Sequence, residues 1–252
     1  MTETREDGFL DGRLRIAQPT RGYRAGADAV MLAAACPARA GQAVLELGCG
    51  AGVASLCLGW RVPDLRLTGI EIQPDYADLA RHNAATNNIP LSVVTGDLAS
   101  PPSGVRDASF DHVIANPPFF QGGTAALDPG RAIARQEYTP LEGWIDAGLR
   151  RLLPGGTLTL IQRADRLDSV ICALSGRAGA IIVLPVAARE GREAGRVLLT
   201  ARKGGRAPLR LLAPFVMHGA VRHDTDAEDL THAAQAVLRR GEPITALFTK
   251  VS

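Results

Sequence analysis

From Ala43 onward the apolar and polar positions fall into a repeating two-part pattern. Short, almost wholly apolar runs have the length and composition of buried strands: Ala43 to Leu47, Leu65 to Ile72, Leu91 to Val94 and Phe110 to Ala115. Helical segments lie between them, one after Gly52 through Leu58 and one that starts after Pro74 and stops around Asn87-Asn88. Strands separated by helical crossovers pair in parallel with right-handed connections, and near-continuous apolar strands call for helices on both faces. Farther along, a helix from about Leu141 to Leu152 stops at Pro154-Gly155-Gly156, and Thr157 to Ile161 is a fifth strand. A helix from about Arg166 to Leu174 leads to a strand at Ala180 to Leu184. Arg196 to Ala201 follows closely enough to be its antiparallel neighbour. Leu209 to Met217 is expected to extend the sheet or pack beside it, Ala227 to Leu238 to form a helix, and Ile244 to Phe248 a short strand-like tail. Ahead of the pattern, Phe9 to Ile16 around Gly12 suggests a hairpin, and Ala29 to Ala35 a helix ending before Pro37. The expectation is an α/β domain over 41–252, with a mostly parallel seven-stranded sheet and an antiparallel last strand. Residues 1–40 form an N-terminal extension of hairpin and helix that packs on it.

Composition narrows this only a little. A chain of 252 residues buries one substantial core, and a net charge of +2 from 28 basic and 26 acidic side chains does not by itself call for nucleic acid. Lys203 and Lys250 are the only lysines, so the positive charge is almost all arginine, which suits phosphate contacts. Cys36, Cys49, Cys57 and Cys172 lie in or beside apolar runs without metal-ligand spacing, and read as reduced, buried hydrophobes. The histidines form no ligand spacing either, so no metal is expected. The polar, acidic N-terminus does not resemble a signal peptide, and no apolar run approaches the ~20 residues of a membrane helix. These features predict a soluble, cytoplasmic chain with no membrane partner, and they leave the oligomeric state unassigned.

Chemistry gathers at the strand ends. Glu46-Leu47-Gly48-Cys49-Gly50-Ala51-Gly52 occupies a strand-to-helix turn, where glycines permit close backbone approach to a ligand. Its spacing is GxGxG; the third glycine of a dinucleotide fingerprint would fall at Val53. Glu46 also puts negative charge where a pyrophosphate would have to approach, so a cationic or zwitterionic ligand without phosphates fits better. Glu71 ends the next strand, where an acidic residue takes the two hydroxyls of a ribose. Asp97, after Gly96, is placed to accept from the amine of an adenine. The fourth strand runs into Asn116-Pro117-Pro118-Phe119, whose prolines donate no backbone hydrogen bond and force the preceding residues to be extended. One side-chain amide, stiffened carbonyls and an aromatic ring suit a planar group bearing an NH2. Each feature alone has an ordinary reading: a glycine-rich turn, a solvated acid, a proline turn. All four fall on consecutive strands at the carboxyl ends, where parallel sheets bind ligands.

Taken together, these motifs resemble class I S-adenosylmethionine-dependent methyltransferases that modify planar amino groups. Within them the chain is similar to the bacterial tRNA adenine-N6 methyltransferases that modify the adenosine beside the anticodon of a valine tRNA. Further points of likeness are Gly22-Tyr23-Arg24 with Asp28, Gly122, Ala134-Arg135, Leu153-Pro154-Gly155-Gly156 and Ala201-Arg202-Lys203-Gly204-Gly205. Phe119 departs from the family, which often carries Tyr there; a stacking ring is kept and a hydroxyl lost. The resemblance implies a Rossmann-like methyltransferase fold with S-adenosylmethionine as cofactor. Gly48, Gly50 and Gly52 would lie along its methionine and ribose, Glu71 on the ribose hydroxyls, Asp97 on the adenine amine, and Asp28 near the methionine end. Glu46 belongs to the same cofactor-binding set. Asn116 Oδ1 and the Pro117 carbonyl would accept the hydrogens of the target amine, with Pro118 and Phe119 against the base. The implied partner is RNA, in particular tRNA.

Between Val186 and Arg210, Arg189, Arg192, Arg196, Arg202, Lys203, Arg206 and Arg210 face only Glu190 and Glu193; this basic segment either tracks phosphates or is a solvated hairpin. Arg131 and Arg135, in a glycine-rich loop over 121–136, are further candidates for substrate contact. The same amine-gripping logic serves guanine N2 in ribosomal RNA or a glutamine amide in protein. An NAD-dependent oxidoreductase is disfavoured by Glu46 and by the glycine spacing. A non-catalytic RNA-binding protein is disfavoured by the intact loop.

Overall fold

Period-two alternation along the strands sorts the apolar side chains into two cores, one on each face of a single sheet. Val44, Ile114, Ile161, Leu184 and Leu198 point to one face, and Leu45, Leu47, Val113, Leu158, Val183 and Leu199 to the other. These observations come from a computed structural model, which describes residues 3–118, 139–219 and 229–249. An N-terminal hairpin of β1 (Thr4–Phe9) and β2 (Leu14–Pro19) precedes α1 (Ala27–Ala35). The alternating part follows as β3 (Ala43–Leu47), α2 (Val53–Arg61), β4 (Arg66–Glu71), α3 (Pro74–Thr86), β5 (Leu91–Thr95), α4 (Ser103–Arg106) and β6 (Phe110–Ala115). Next come α5 (Leu141–Arg151), β7 (Leu152–Arg163), α6 (Leu167–Leu174), β8 (Ala178–Arg189) and β9 (Ala194–Lys203). The chain closes with β10 (Arg210–Leu211), β11 (Phe215–His218), α7 (His232–Leu238) and α8 (Thr245–Thr249).

The main sheet runs β10-β8-β9-β7-β6-β3-β4-β5, with β11 also on β8. Seven of its strands are those expected; two short ones from the 209–217 stretch extend the β8 edge in parallel. Strand β9 is antiparallel to both its neighbours, β7 and β8. Helix α1 is buried from Ala29 through Ala35 and shares the first core with α2, α7 and the hairpin residues Leu14 and Ile16. Helices α5 and α6 cover the opposite face with Trp144, Ile145, Leu149, Val170 and Leu174. No helix among the described residues is long and apolar enough to cross a membrane.

Three local expectations are corrected. The 244–248 tail is helical, not strand-like: Ile244 and Phe248 are one helical turn apart, and both are buried in the first core. Since Ile244, Ala246 and Phe248 also alternate, the sequence fits either period. Strand β7 begins before Pro154-Gly155-Gly156 rather than after it; its ladder to β6 jumps from Phe110↔Leu152 to His112↔Thr157, leaving 153–156 looped out. Cys172 is exposed, on the side of α6 away from buried Val170 and Leu174, whereas Cys36, Cys49 and Cys57 are buried as expected.

Candidate active site

Strand order places the chemistry-bearing ends side by side. The chain leaves β3 toward β4 and β5 on one side, while β6 and β7 lie on the other. The crevice at this reversal, between the ends of β3 and β6, is where open α/β sheets bind ligands. Asn116, the Gly48–Gly52 loop, Glu71 and Asp97 line up across it, one from each of β6, β3, β4 and β5.

Positive backbone φ angles explain the glycine spacing: Gly48, Gly50 and Gly52 have φ of 61°, 53° and 85°. A Cβ on Gly48 would also run into the Trp144 ring of α5. Two bonds tie the loop to β4: Cys49 N–H donates to the Ile70 carbonyl (3.1 Å) and Gly50 N–H to Glu71 Oε2 (2.9 Å). Asn83, fully buried on α3, donates to the Ala51 carbonyl (2.9 Å) and to the Ala17 carbonyl (3.0 Å). One side chain thus clamps the loop to α3 and the hairpin.

Glu46 is turned away from solvent, 4% exposed, and its Oε2 accepts from both the N–H (2.9 Å) and the hydroxyl of Ser55. Ser55 lies in the first turn of α2, whose leading N–H groups lack intrahelical partners, so Glu46 closes the helix start from within the core. Burial pushes its carboxyl up to about 8; the Ser55 donors oppose this and the charge of Glu71 adds to it. The folded pKa lies above the unfolded value of 4.5, so the native state holds this proton more tightly. Its contribution to stability is complete below that value and is lost as pH rises through about 8. Glu46→Gln keeps an acceptor for Ser55 and cannot ionise. Urea unfolding of the cofactor-free protein should therefore lose less stability between about pH 5 and 8 in the variant, by on the order of a few kcal/mol at most. An equal pH slope in both proteins would contradict a buried, titrating Glu46.

Glu71 is also buried, 6% exposed, and burial raises its pKa against the N–H groups of Gln73, Gly50 and Ile72. Beside it Ile72 is 42% exposed, an apolar face next to the carboxylate. Gly96 N–H donates to the Glu71 carbonyl (2.9 Å), and Asp97 Oδ1 accepts from Ala99 N–H (2.8 Å), which fixes the turn that carries it.

On the acceptor side, Pro117 is buried and Pro118 exposed, while Asn116 Nδ2 donates to the Tyr23 hydroxyl at 3.3 Å. Asn116 Oδ1 is buried and has no hydrogen-bond partner among the described residues. A buried, unmatched acceptor costs stability, and Oδ1 is one that an arriving donor could satisfy. Phe119 and the 121–136 loop, with Arg131 and Arg135, lie outside the described residues. Asp28, expected near the methionine end, begins α1 and accepts from Arg196 Nε on β9 at 3.0 Å. Tyr23 was noted in sequence only within a point of family likeness, yet it bridges to Asn116 across 93 positions. Ser55 and Trp144 were not singled out at all.

The basic segment is divided by its own hairpin. Arg189, Arg192 and Arg196 sit where β8 ends and β9 begins, at the site end of the sheet; Arg202, Lys203 and Arg206 sit at the far end. Several are engaged within the chain: Arg189 pairs with Asp229 (2.7 Å), and Lys203 donates to the Leu152 carbonyl (2.7 Å). The basic residues over 189–210 therefore do not form one continuous phosphate track; only the first half lies at the site end of the sheet.

Comparison with known proteins fits this geometry. The methyltransferase small domain family model matches residues 26–166, the part that carries the glycine loop, Glu71, Asp97 and Asn116. The chain belongs to that family. Two relatives are named tRNA1(Val) (adenine(37)-N6)-methyltransferase. The Porphyromonas gingivalis protein is 39% identical over 65% of this chain and 68% of its own. The Aeromonas hydrophila protein is 30% identical over 79% and 85%. Among solved structures, one named a predicted O-methyltransferase from Agrobacterium tumefaciens superposes with a TM-score of 0.69 at 28% identity, covering 86% of this chain and 97% of that one. A Thermus thermophilus 16S rRNA N2 G1207 methyltransferase, in complex with AdoMet and guanosine, shares the fold at TM-score 0.56 and 21% identity, over 80% and 50%. This methyltransferase uses S-adenosylmethionine, and the crevice fits that cofactor. The crevice offers the carboxyl groups of Glu71 and Asp97 and the exposed apolar face of Ile72, the kinds of surface that hydroxyl donors, an amine and a flat ring require.

Proposed function

We propose that the chain methylates N6 of an adenine in RNA, specifically adenine 37 of tRNA1(Val), in the cytoplasm and without a metal. The observation that carries this reading is Asn116 Oδ1, a buried acceptor without a partner among the described residues, at the end of the strand beside the cofactor loop. Bound S-adenosylmethionine supplies an electrophilic methyl group, so the task left to the chain is to hold and polarise the amine. An exocyclic amine is a poor nucleophile because its lone pair is delocalised into the base. Asn116 Oδ1 and the Pro117 carbonyl accept its two hydrogens and favour the tetrahedral nitrogen that develops as the lone pair turns toward the methyl. Neither acceptor acts as a base, and the proton that the nitrogen sheds once its bond to the methyl carbon has formed passes to solvent; rate comes from positioning and from preorganised dipoles. Phe119 stacks on the base, and an adenine stacked in the anticodon loop is first flipped out.

In this account Gly48, Gly50 and Gly52 line the cofactor, Glu71 and Asp97 hold its ribose and adenine, and Glu46 and Asp28 brace the methionine end. Residues 1–40 form an extension packed on a methyltransferase domain at 41–252. The amide acceptor also separates N- from O-methylation, since a carboxylate or phenolate target brings no hydrogen for Oδ1 to accept. Guanine N2 and a glutamine amide do bring such hydrogens and remain the nearest alternatives.

Incubating the protein and labelled cofactor with separate tRNA, rRNA and protein fractions tests the reading. Label is expected in tRNA as N6-methyladenosine. Label in N2-methylguanosine or methylglutamine instead would overturn it.

A further inference from the structure

We propose that Tyr23 is a positioning residue that sets the orientation of the Asn116 side-chain amide. The proposal rests on the reading that Asn116 Oδ1 receives the substrate amine. An asparagine amide has two ends of nearly equal size, one donor and one acceptor, and a half-turn exchanges them. With Nδ2 toward the crevice, Asn116 would present hydrogens to the hydrogens of the amine. Something must hold the productive orientation, and among the described residues the group bonded to this amide is the Tyr23 hydroxyl, which accepts from Nδ2 at 3.3 Å.

A phenol can donate as well as accept, so its own hydrogen must be directed elsewhere for the choice to be firm. Among charged groups, Asp28 acts most strongly on the Tyr23 hydroxyl. A negative Asp28 favours a phenolic hydrogen turned toward it, which frees a lone pair for Nδ2. Burial of the hydroxyl, with the charge of Asp28 adding to it, pushes its pKa up to about 12, so it stays neutral at working pH. Tyr23 is held at its backbone and flanked at its ring. Tyr76 of α3 donates its hydroxyl to the Tyr23 carbonyl at 2.9 Å, and the Tyr23 ring lies against Gly50 of the cofactor loop. Tyr23 is still 49% exposed, so part of the side chain stays open to solvent. A single side chain from the N-terminal segment thus touches both halves of the site. The bond to Asn116 is long for a protein hydrogen bond, as catalytic hydrogen bonds often are before substrate binds.

The test compares the wild-type protein with Tyr23→Phe and Asn116→Ala, using S-adenosylmethionine and tRNA. Single-turnover rate, RNA KM, cofactor Kd and thermal midpoint are measured for each. Tyr23→Phe keeps the ring and the backbone carbonyl that Tyr76 holds, so folding is preserved. Its rate should fall about three- to tenfold, the loss expected for one hydrogen bond, with RNA KM, cofactor Kd and midpoint unchanged. An undiminished rate would overturn the proposal. So would a rise in RNA KM at constant kcat, which would make Tyr23 a substrate contact, or a cofactor Kd weakened in step with the rate. Asn116→Ala separates this proposal from the reading beneath it. If that variant still turns over, the role of Asn116 itself fails. If it is inactive while Tyr23→Phe is fully active, only the positioning role fails.

Discussion

Asn116→Ala is expected to lower turnover by about 10²–10³-fold, the usual loss when one preorganised polar group is removed from a transition state. Cofactor affinity should stay within about threefold, because Asn116 lies on β6 and the cofactor loop is braced by Glu71, Ser55 and Asn83 instead. The side chain is half-buried and its one bond among the described residues is to an exposed tyrosine, so the protein should lose little stability. Removing Oδ1 even relieves an unmatched acceptor. Single-turnover methyl transfer alongside calorimetry with S-adenosylmethionine reads both quantities. Near-normal turnover would remove Asn116 from the chemistry, and lost turnover with equally lost cofactor binding would make it part of the cofactor half.

A different pattern is expected for Glu71→Ala, which should weaken cofactor binding by about 10²–10³-fold through the loss of two charge-assisted hydrogen bonds. It should also destabilise the protein before any ligand is added. Gly50 N–H and Gln73 N–H both donate to this carboxylate at 2.9 Å, and each loses its acceptor. An unmet buried donor costs about 1–3 kcal/mol, somewhat less at half-buried Gln73. The Gly50 donor belongs to the cofactor loop, so the same change loosens the loop that Glu71 serves. Calorimetry and thermal unfolding together check this. Cofactor affinity within about threefold of wild type would show that Glu71 is a loop anchor and no ribose ligand.

The placements that were legible in the sequence are those set by local backbone rules. Alternating strands and helices force a parallel sheet, so Glu46, Glu71, Asp97 and Asn116 had to share one rim; GxGxG had to carry left-handed backbone. What was not legible depends on which distant side chains arrive. Nothing near Glu46 signals that Ser55 will take its carboxylate, nor near Gly48 that Trp144 will press on it. Tyr23 was visible as a likeness to relatives, but its bond to Asn116 exists only once α1 packs across the sheet. The basic residues over 189–210 are adjacent in sequence, and a hairpin sends half of them to the far end of the sheet. The 244–248 tail failed for another reason: three apolar residues spaced by two satisfy a strand and a helical turn equally, and only docking on α1, through Ile244 N–H to the Ala34 carbonyl, selects the helix.

The central claim is that these four strand ends form one site that grips an adenine amine and methylates it. Its most direct measurement is label transfer to two unmodified valine tRNA transcripts that differ only in carrying adenine or guanine beside the anticodon. The account predicts N6-methyladenosine in the adenine transcript, no label in the guanine transcript, and loss of both cofactor-dependent label and product with Asn116→Ala. Equal labelling of both transcripts, or N2-methylguanosine from the second, would contradict it.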